Sequence, residues 1–156
     1  MMVQTEIGLL PEDWEVQTIG DVFKLSAAGD LRESLFSLGR SSLYCYPVYS
    51  NSIIHKGLYG YTSSPRYKRG CITITGRGTL GHAEYREIDF DAIIRLLILQ
   101  PKIDINGYLI TAFINKKKPF FFESTSIPQL TVPQIRDVFI PIPPKSEQQN
   151  IASALS

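Results

Sequence analysis

The side chains best suited to chemistry in this chain lie between positions 49 and 82. They are cations, amides, hydroxyl groups and two imidazoles, in segments bounded by glycine. Cations neutralise phosphates, Asn and Arg can pair bidentately with base edges, and Ser, Thr and Tyr position a duplex. The segment therefore predicts a DNA-binding surface. The candidate DNA-binding residues are Ser50, Asn51, His55, Lys56, Tyr61, Arg66, Lys68, Arg69, Arg77, Thr79 and His82.

Arg77 is the sharpest of these candidates because it stands within the glycine-rich sequence G-R-G-T-L-G at residues 76–81. The spacing matches the G-x-G-x-x-G fingerprint of dinucleotide-binding proteins, which must open a helix. Residues 82–90 are instead β-like in composition, and the protein kinase alternative lacks the H-R-D and D-F-G motifs. We expect a hairpin turn with the glycines at positive φ, whose narrow tip lets Arg77 enter a groove.

The charge distribution supports this surface. The chain has 156 residues, with 16 Lys and Arg against 15 Asp and Glu and a net charge of +1. Residues 1–21 carry five acids and no base, whereas residues 55–86 carry six bases and one acid, Glu84. Such an asymmetry predicts a polyanionic partner, although six dispersed cations could equally solvate a surface.

Other chemistries have weaker support in the sequence. Cys45, His55, Cys71 and His82 lack the paired spacings that preorganise a zinc site, and no G-x-S-x-G elbow is present. We therefore expect neither a metal site nor catalysis. The two cysteines are interpreted as free thiols of a reducing compartment. No apolar run reaches the roughly 20 residues of a spanning helix, and residues 1–10 lack a signal-peptide pattern, which predicts a cytoplasmic protein.

Hydrophobic periodicity predicts an α+β fold in which strands dominate. Short β-rich segments separated by Gly, Ser, Asn or Pro indicate successive strands, and residues 92–99 form an aliphatic run typical of a strand buried on both faces. Residues 26–42 are expected to form an extended loop. The predicted strands are 44–49, 58–62, 71–75, 83–88, 92–99, 120–122 and 138–142.

Capping signals place the helices. Thr18 and Asp21 predict a helix over residues 19–25, preceded by Trp14, which is expected to close one end of the core. Asn106 predicts a second helix that ends before Pro119. Residues 131–134 form another capping box, with proline in the first turn.

The chain ends on the start of one more helix. A capping box at residues 146–149 follows two prolines, and about ten residues of helix are too few to be stable alone in water. We expect this helix to pack on its own domain or to continue in the natural protein. The predicted organisation is one domain over residues 1–145 and the start of a truncated helix over 146–156.

Four segments together resemble one known family. They are I-G-L-L-P-E-D-W at residues 7–14, Y-P-V-Y-S-N-S at 46–52, G-R-G-T-L-G at 76–81, and I-P-Q-L-T at 127–131 followed by I-P-I-P-P-x-S-E-Q-Q at 140–149. In this order they resemble a target recognition domain of the DNA specificity subunit of type I restriction-modification enzymes. The resemblance implies a single domain built on a strand-rich mixed or antiparallel sheet with a few short helices. It also implies that residues 1–145 are the target recognition domain and that residues 146–156 begin a truncated spacer or dimerisation helix.

The resemblance also implies a function. The chain would be non-catalytic and would read one half of a bipartite site in double-stranded DNA for methylation and restriction subunits of the same bacterial or archaeal system. S-adenosylmethionine, ATP and Mg²⁺ would belong to those partners. A second recognition domain, or a homodimer formed through the C-terminal helix, would supply the other half.

Two other classes of function remain open at this point. The chain could be a protein-interaction module that binds through its C-terminal helix and acidic N-terminus, with the cations solvating the surface. A stand-alone enzyme is disfavoured because the sequence contains neither a methyltransferase signature nor a nuclease E-x-K motif.

Overall fold

The computed structural model describes residues 1–120 and 129–147 of the chain. The α-helices are α1 (Ile19–Val22), α2 (Gly107–Lys117) and α3 (Val132–Arg136). The strands are β1 (Met2–Thr5), β2 (Gly8–Pro11), β3 (Glu15–Thr18), β4 (Phe23–Ala27), β5 (Phe36–Ser37), β6 (Tyr46–Tyr49), β7 (Leu58–Thr62), β8 (Ile72–Ile74), β9 (Ala83–Tyr85), β10 (Asp91–Ala92), β11 (Leu97–Pro101) and β12 (Phe139–Ile142).

Two four-stranded sheets form the body of the domain. One has the order β4-β11-β8-β9 and is antiparallel throughout. The other has the order β10-β6-β7-β5 and is mixed, because β10 runs parallel to β6 while the other pairs are antiparallel. The predicted α+β fold, rich in mixed and antiparallel sheet with a few short helices, is confirmed.

Two smaller pairings were not predicted from the sequence. Strands β1 and β2 form an N-terminal hairpin, and β3 pairs antiparallel with β12 from the other end of the chain. Beside this pair, the indole Nε1 of Trp14 donates a hydrogen bond of 2.6 Å to Oε2 of Glu147. Trp14 thus links the N-terminal segment to residues 145–147, which are helical. The remainder of the predicted C-terminal helix lies outside the described residues.

The main core lies where the helices cover the antiparallel sheet. Fully buried side chains from α1, α2 and α3 pack with those of β8 and β11, and Ile19, Ile72, Leu99, Ile110 and Ile135 are all shielded from solvent. A second cluster around Phe90 joins the two sheets. This packing supplies most of the stability of such short helices, because isolated segments of this length are marginal in water.

The capping signals at Thr18, Asn106 and Thr131 are confirmed, whereas the capping box predicted at 146–149 lies partly outside the described residues. Thr18 Oγ1 accepts from the backbone N–H of Asp21 at 3.2 Å, and Asn106 Oδ1 accepts from the N–H groups of Tyr108 and Leu109. At α3, the N–H of Thr131 donates to the side chain of Gln134 at 2.8 Å. These signals are local, so the sequence alone carries them.

The first helix is shorter than predicted, since it ends at Val22 rather than at residue 25. Phe23 begins β4, whose five residues pair in register with β11. Tertiary strand pairing therefore overrides the helical spacing of the apolar residues. The predicted loop over residues 26–42 also contains the end of β4, a 3₁₀ turn at Glu33–Leu35 and β5.

The prediction of one buried strand over residues 92–99 is wrong. Asp91–Ala92 belongs to the mixed sheet and Leu97–Pro101 to the antiparallel sheet, so the chain changes sheets at residues 93–96. Both parts are buried, and a continuous apolar run does not reveal a corner between them. The strands predicted at 44–49, 58–62, 71–75, 83–88 and 138–142 are present with bounds that differ by up to three residues. The strand predicted at 120–122 falls largely outside the described residues.

Candidate nucleic-acid interface

Two loops from different sheets meet at one edge of the domain. The β6–β7 loop comprises residues 50–57, and the β8–β9 loop comprises residues 75–82. Asn51 joins them: its Oδ1 accepts from the N–H of Gly76 at 2.7 Å and of Arg77 at 3.3 Å, and its Nδ2 donates to the carbonyl of Arg77 at 2.8 Å. The structure therefore brings together candidates that lie 26 residues apart in sequence.

The β6–β7 loop is closed at its base by Ser50 and Gly57. The N–H and the hydroxyl of Ser50 both donate to the carbonyl of Gly57, at 2.8 and 3.2 Å. His55 and Lys56 have φ of 49° and 56°, in the left-handed region, and both side chains are exposed. Gly57 has φ +85°, and a Cβ there would collide with the carbonyl oxygen of Ser50. The tight turn thus presents His55 and Lys56 to solvent.

The tip of this loop also exposes two isoleucines that were not predicted as part of the site. Ile53 is 50% exposed and Ile54 is 69% exposed, beside His55 and Lys56. The signal for them was weak, since two isoleucines in a short segment between strands are equally typical of a buried turn.

The β8–β9 loop is a hairpin connection, as the sequence predicted. The backbone of Thr75 pairs with His82, whose carbonyl accepts from the Thr75 N–H at 3.0 Å, and the Thr75 hydroxyl accepts from the N–H of His82 at 2.9 Å and donates to the carbonyl of Thr79. Gly78 and Gly81 have φ of +65° and +75°. No helix follows the glycines, so the structure does not provide the helix N-terminus that a dinucleotide-binding loop requires.

Gly76 differs from the other two glycines of this motif, because its φ is not positive. Glycine is required at this position because neighbouring backbone lies too close to leave room for a side chain. A Cβ at this position would collide with the carbonyl oxygen of Arg95, and the carbonyl of Gly76 accepts from the N–H of Leu130 at 2.8 Å. The expectation of positive φ is therefore wrong for Gly76, which packs its backbone against two neighbouring segments.

Arg77 projects from this braced loop. Its backbone is held by Asn51, its side chain is exposed, and the guanidinium has no hydrogen-bond partner among residues 1–120 and 129–147. The neighbouring Gly78 has open space around it. An arginine on a fixed backbone with free donors has the geometry for bidentate recognition of a guanine edge or a phosphate.

Arg66 is exposed, but its guanidinium pairs with a buried carboxylate. Its Nε donates to Oδ1 of Asp91 at 2.6 Å, and Arg32 donates to the other carboxylate oxygen at 3.1 Å. Asp91 is 2% exposed. The hydrogen bond to Asp91 raises the pKa of Arg66. Arg66 therefore has a structural partner that its sequence neighbourhood does not reveal, because Asp91 lies 25 residues downstream.

Arg86, in contrast, is buried. Its guanidinium lies 3.6 Å above the ring of Tyr49, and its Nε donates to the hydroxyl of Thr73 at 3.0 Å. Burial lowers the pKa of Arg86. Of the six cations at residues 55–86, Arg86 is buried and Arg66 is paired with Asp91. The side chains of Lys56, Lys68, Arg69 and Arg77 are exposed and have no ion pair within residues 1–120 and 129–147.

The remaining candidates fall into three places. Thr79 is exposed on the β8–β9 loop, and the Nε2 of His82 hydrogen-bonds Glu84 at 2.9 Å. Lys68 and Arg69 precede β8 whereas Arg77 follows it, so they lie at the other end of that strand. The half-buried Tyr61 lies within β7, opposite Pro47 and Ser37 of the neighbouring strands. The structure therefore separates the basic segment into a loop edge and a second group at the start of β8.

The described part of the chain has neither a membrane-spanning helix nor a cluster of metal ligands. Neither range, 1–120 or 129–147, contains a helix long and apolar enough to cross a bilayer. Those ranges also hold no group of three His, Cys, Asp or Glu side chains placed to bind a metal ion.

Solved structures define the class of fold. The chain superposes with a TM-score of 0.74 on a chain solved in work on complex assembly and conformational transition of the type I R-M system, at 20% identity over 94% of this chain and 38% of that one. It superposes with a TM-score of 0.70 on the type I restriction-modification S subunit from M. genitalium (18% identity, 90% and 37%) and on the HsdS subunit from Thermoanaerobacter tengcongensis (19% identity, 94% and 37%). The fold is that of part of an S subunit.

Sequence comparison identifies the family. The model of the type I restriction modification DNA specificity domain matches residues 11–156, so the chain belongs to this family. Two Mycoplasma pneumoniae proteins named as type I specificity subunits, S.MpnORF507P and S.MpnORF89P, are 29% and 25% identical to it over 92% of the chain. The chain spans 39% and 43% of their lengths. The resemblance stated from the sequence motifs is confirmed, and these comparisons give no support to the protein-interaction alternative.

Proposed function

We propose that this chain is a non-catalytic module that reads the sequence of one half of a bipartite site in double-stranded DNA. The observation that carries the proposal is the exposed Arg77, which stands on a glycine-bounded hairpin whose backbone is fixed by Asn51 from the neighbouring loop. Membership of a DNA specificity domain family supports it independently.

The site combines an exposed charge, the guanidinium of Arg77, with a rigid backbone. Base recognition needs donors held at a defined position, because a mobile arginine would neutralise phosphates without selecting a base. The two loops provide that position, and the β6–β7 loop that carries Asn51 also carries the exposed cation Lys56. Phosphate contacts of this kind fix register and orientation on the duplex.

The partners follow from the family. We infer that the module directs methylation and restriction by separate subunits, which would bind S-adenosylmethionine, ATP and Mg²⁺, in the cytoplasm of a bacterium or archaeon. A second recognition domain, or a second copy joined through the helix that starts at residues 145–147, would read the other half of the site. Joining two halves raises the effective concentration of each for its half-site.

A selection experiment tests this function. The full-length protein that contains this chain is incubated with a library of random DNA duplexes, and the retained duplexes are sequenced at several salt concentrations. The proposal predicts a shared sequence motif in the retained duplexes and an affinity that falls with salt. Retention that is equal for all sequences, or an absence of retention at low salt, would contradict it.

A further inference from the structure

Asn51 uses almost all of its hydrogen-bonding capacity inside the protein. A side-chain amide offers one oxygen with two lone pairs and two N–H donors. In this structure both lone pairs accept from backbone N–H groups, of Gly76 and Arg77, and one donor binds the carbonyl of Arg77. Bidentate recognition of adenine needs a free amide oxygen together with a free N–H. Asn51 in this arrangement therefore lacks the oxygen that such recognition requires.

The same three bonds fix the backbone from which Arg77 projects. Both the N–H and the carbonyl of Arg77 bind the Asn51 side chain. On one side of Arg77, the carbonyl of Gly76 is anchored by Leu130, and on the other side Gly78 has φ +65° with nothing within 4 Å of a built Cβ. The direction of the Arg77 side chain thus depends on a residue of a different loop and a different sheet.

Building on the function proposed above, we propose that Asn51 is a positioning residue for base readout: it sets the preference of Arg77 for its base without itself contacting a base. The β6–β7 loop then influences specificity through the β8–β9 loop. Closure of the β6–β7 loop by Ser50 and Gly57 holds Asn51 in place for this role.

Asn115 provides a matched control within the chain. Its Oδ1 accepts from the N–H of Ala83 at 2.8 Å and its Nδ2 donates to the carbonyl of Ala83 at 2.9 Å. Asn115 therefore clamps the backbone of one residue with both ends of its amide, as Asn51 does for Arg77. Ala83 is the first residue of β9, at the base of the hairpin and away from Arg77. Loss of Asn115 removes similar bonds without releasing Arg77.

The experiment measures base preference position by position. The full-length protein and the variants Asn51→Ala, Arg77→Ala, Asn115→Ala and the Asn51→Ala/Arg77→Ala double variant are selected against the random duplex library, and each variant is also unfolded in urea. Arg77→Ala is expected to reduce the preference at one base position roughly five- to hundredfold. Asn51→Ala is expected to reduce it at the same position, and the double variant to match Arg77→Ala, because the two residues act as one unit.

Three outcomes would overturn the inference. If Asn51→Ala weakens a different base position, Asn51 is a direct reader. If it weakens all sequences equally, as expected for Asn115→Ala, its role is structural alone. If Arg77→Ala leaves every base preference intact, Arg77 does not read a base, and the proposed function loses the observation on which it rests. Should Asn51→Ala fail to fold, Asn51→Asp keeps the two acceptor contacts, loses the donor to the carbonyl of Arg77, and must relax the same position.

Discussion

The Nε of Arg66 lies 2.6 Å from Oδ1 of Asp91, so an arginine at the surface is paired with a buried carboxylate. The carboxylate of Asp91 is buried and accepts from Arg32 on its other oxygen. Arg66 thus ties the segment before β8 to β10, close to the point where the chain passes from one sheet to the other.

The first prediction follows from this pair. Arg66→Ala leaves a buried carboxylate with one of its two arginines, so we expect it to lower the free energy of unfolding by about 1 to 3 kcal/mol. Arg69→Ala is the matched control, because that side chain is exposed and has no ion pair within the described residues, and it should change stability by less than about 0.5 kcal/mol. Urea unfolding of both variants measures the difference. Equal stability of the two variants would contradict the structural role of Arg66.

A second prediction concerns base readout by Arg77. Arg77→Ala should cost about 1 to 3 kcal/mol of binding free energy at one base position and little at the others, because the side chain projects from a braced loop. Competition binding with duplexes that differ at single positions measures this. An equal loss on every sequence would mean that Arg77 contacts phosphate rather than a base.

A third prediction concerns Lys68, which lies at the other end of β8 from Arg77. Its exposed ammonium is suited to a phosphate, so Lys68→Ala should weaken binding to all sequences alike and lower the slope of log affinity against log salt by about one. Titrations between low and moderate salt provide the slope. An unchanged slope would place Lys68 outside the DNA footprint.

A fourth prediction concerns the two cysteines, both free thiols. Burial raises the pKa of the Cys71 thiol from 9.0 to about 11, whereas Cys45 is partly exposed. The thiolate is the reactive form. Iodoacetamide at pH 8 should therefore label Cys45 before Cys71 in the native protein, as read by peptide mass spectrometry. Labelling of Cys71 at the rate found in urea would contradict its burial.

The same thiol should make stability depend on pH in the alkaline range. Because the pKa of the Cys71 thiol is higher in the folded state than in the unfolded state, the neutral thiol contributes to the free energy of unfolding. That contribution is complete below pH 9 and is lost as the pH rises through about 11. Relative to Cys71→Ala, the protein should lose roughly 2 to 3 kcal/mol of unfolding free energy over that interval. The difference between the two profiles isolates Cys71 from the half-buried tyrosines Tyr49 and Tyr67, whose pKa values are also raised by desolvation. Parallel profiles would contradict the prediction.

Local signals explain which parts of the fold were predictable. The caps at Thr18, Asn106 and Thr131 are set by residues within one turn, so they could be identified from the sequence. The pairing of β3 with β12 joins segments more than 120 residues apart, and no local pattern encodes it. The corner at residues 93–96 is hidden within one apolar run for the same reason.

The candidate site divides in a similar way. Residue types and glycine spacing identified Asn51 and Arg77 separately among the candidate residues, but the hydrogen bonds between them are tertiary and were not predicted. Asp91, the partner of Arg66, is also distant in sequence. The sequence therefore gives no sign that Arg66 is paired whereas Lys68 is not. Side-chain type predicts what a residue can bind, whereas tertiary contacts decide whether its donors are free.

Exchange of the two loops tests the central claim most directly. Residues 50–57 and 75–82 are replaced together by those of a relative with a different target, with Asn51 and Gly76 kept, and the methylome of a host that expresses the full-length protein with its methylation subunit is sequenced. If these loops read DNA, one half of the methylated motif changes and the other half is retained. Methylation that persists with an unchanged motif would show that sequence recognition lies elsewhere in the protein.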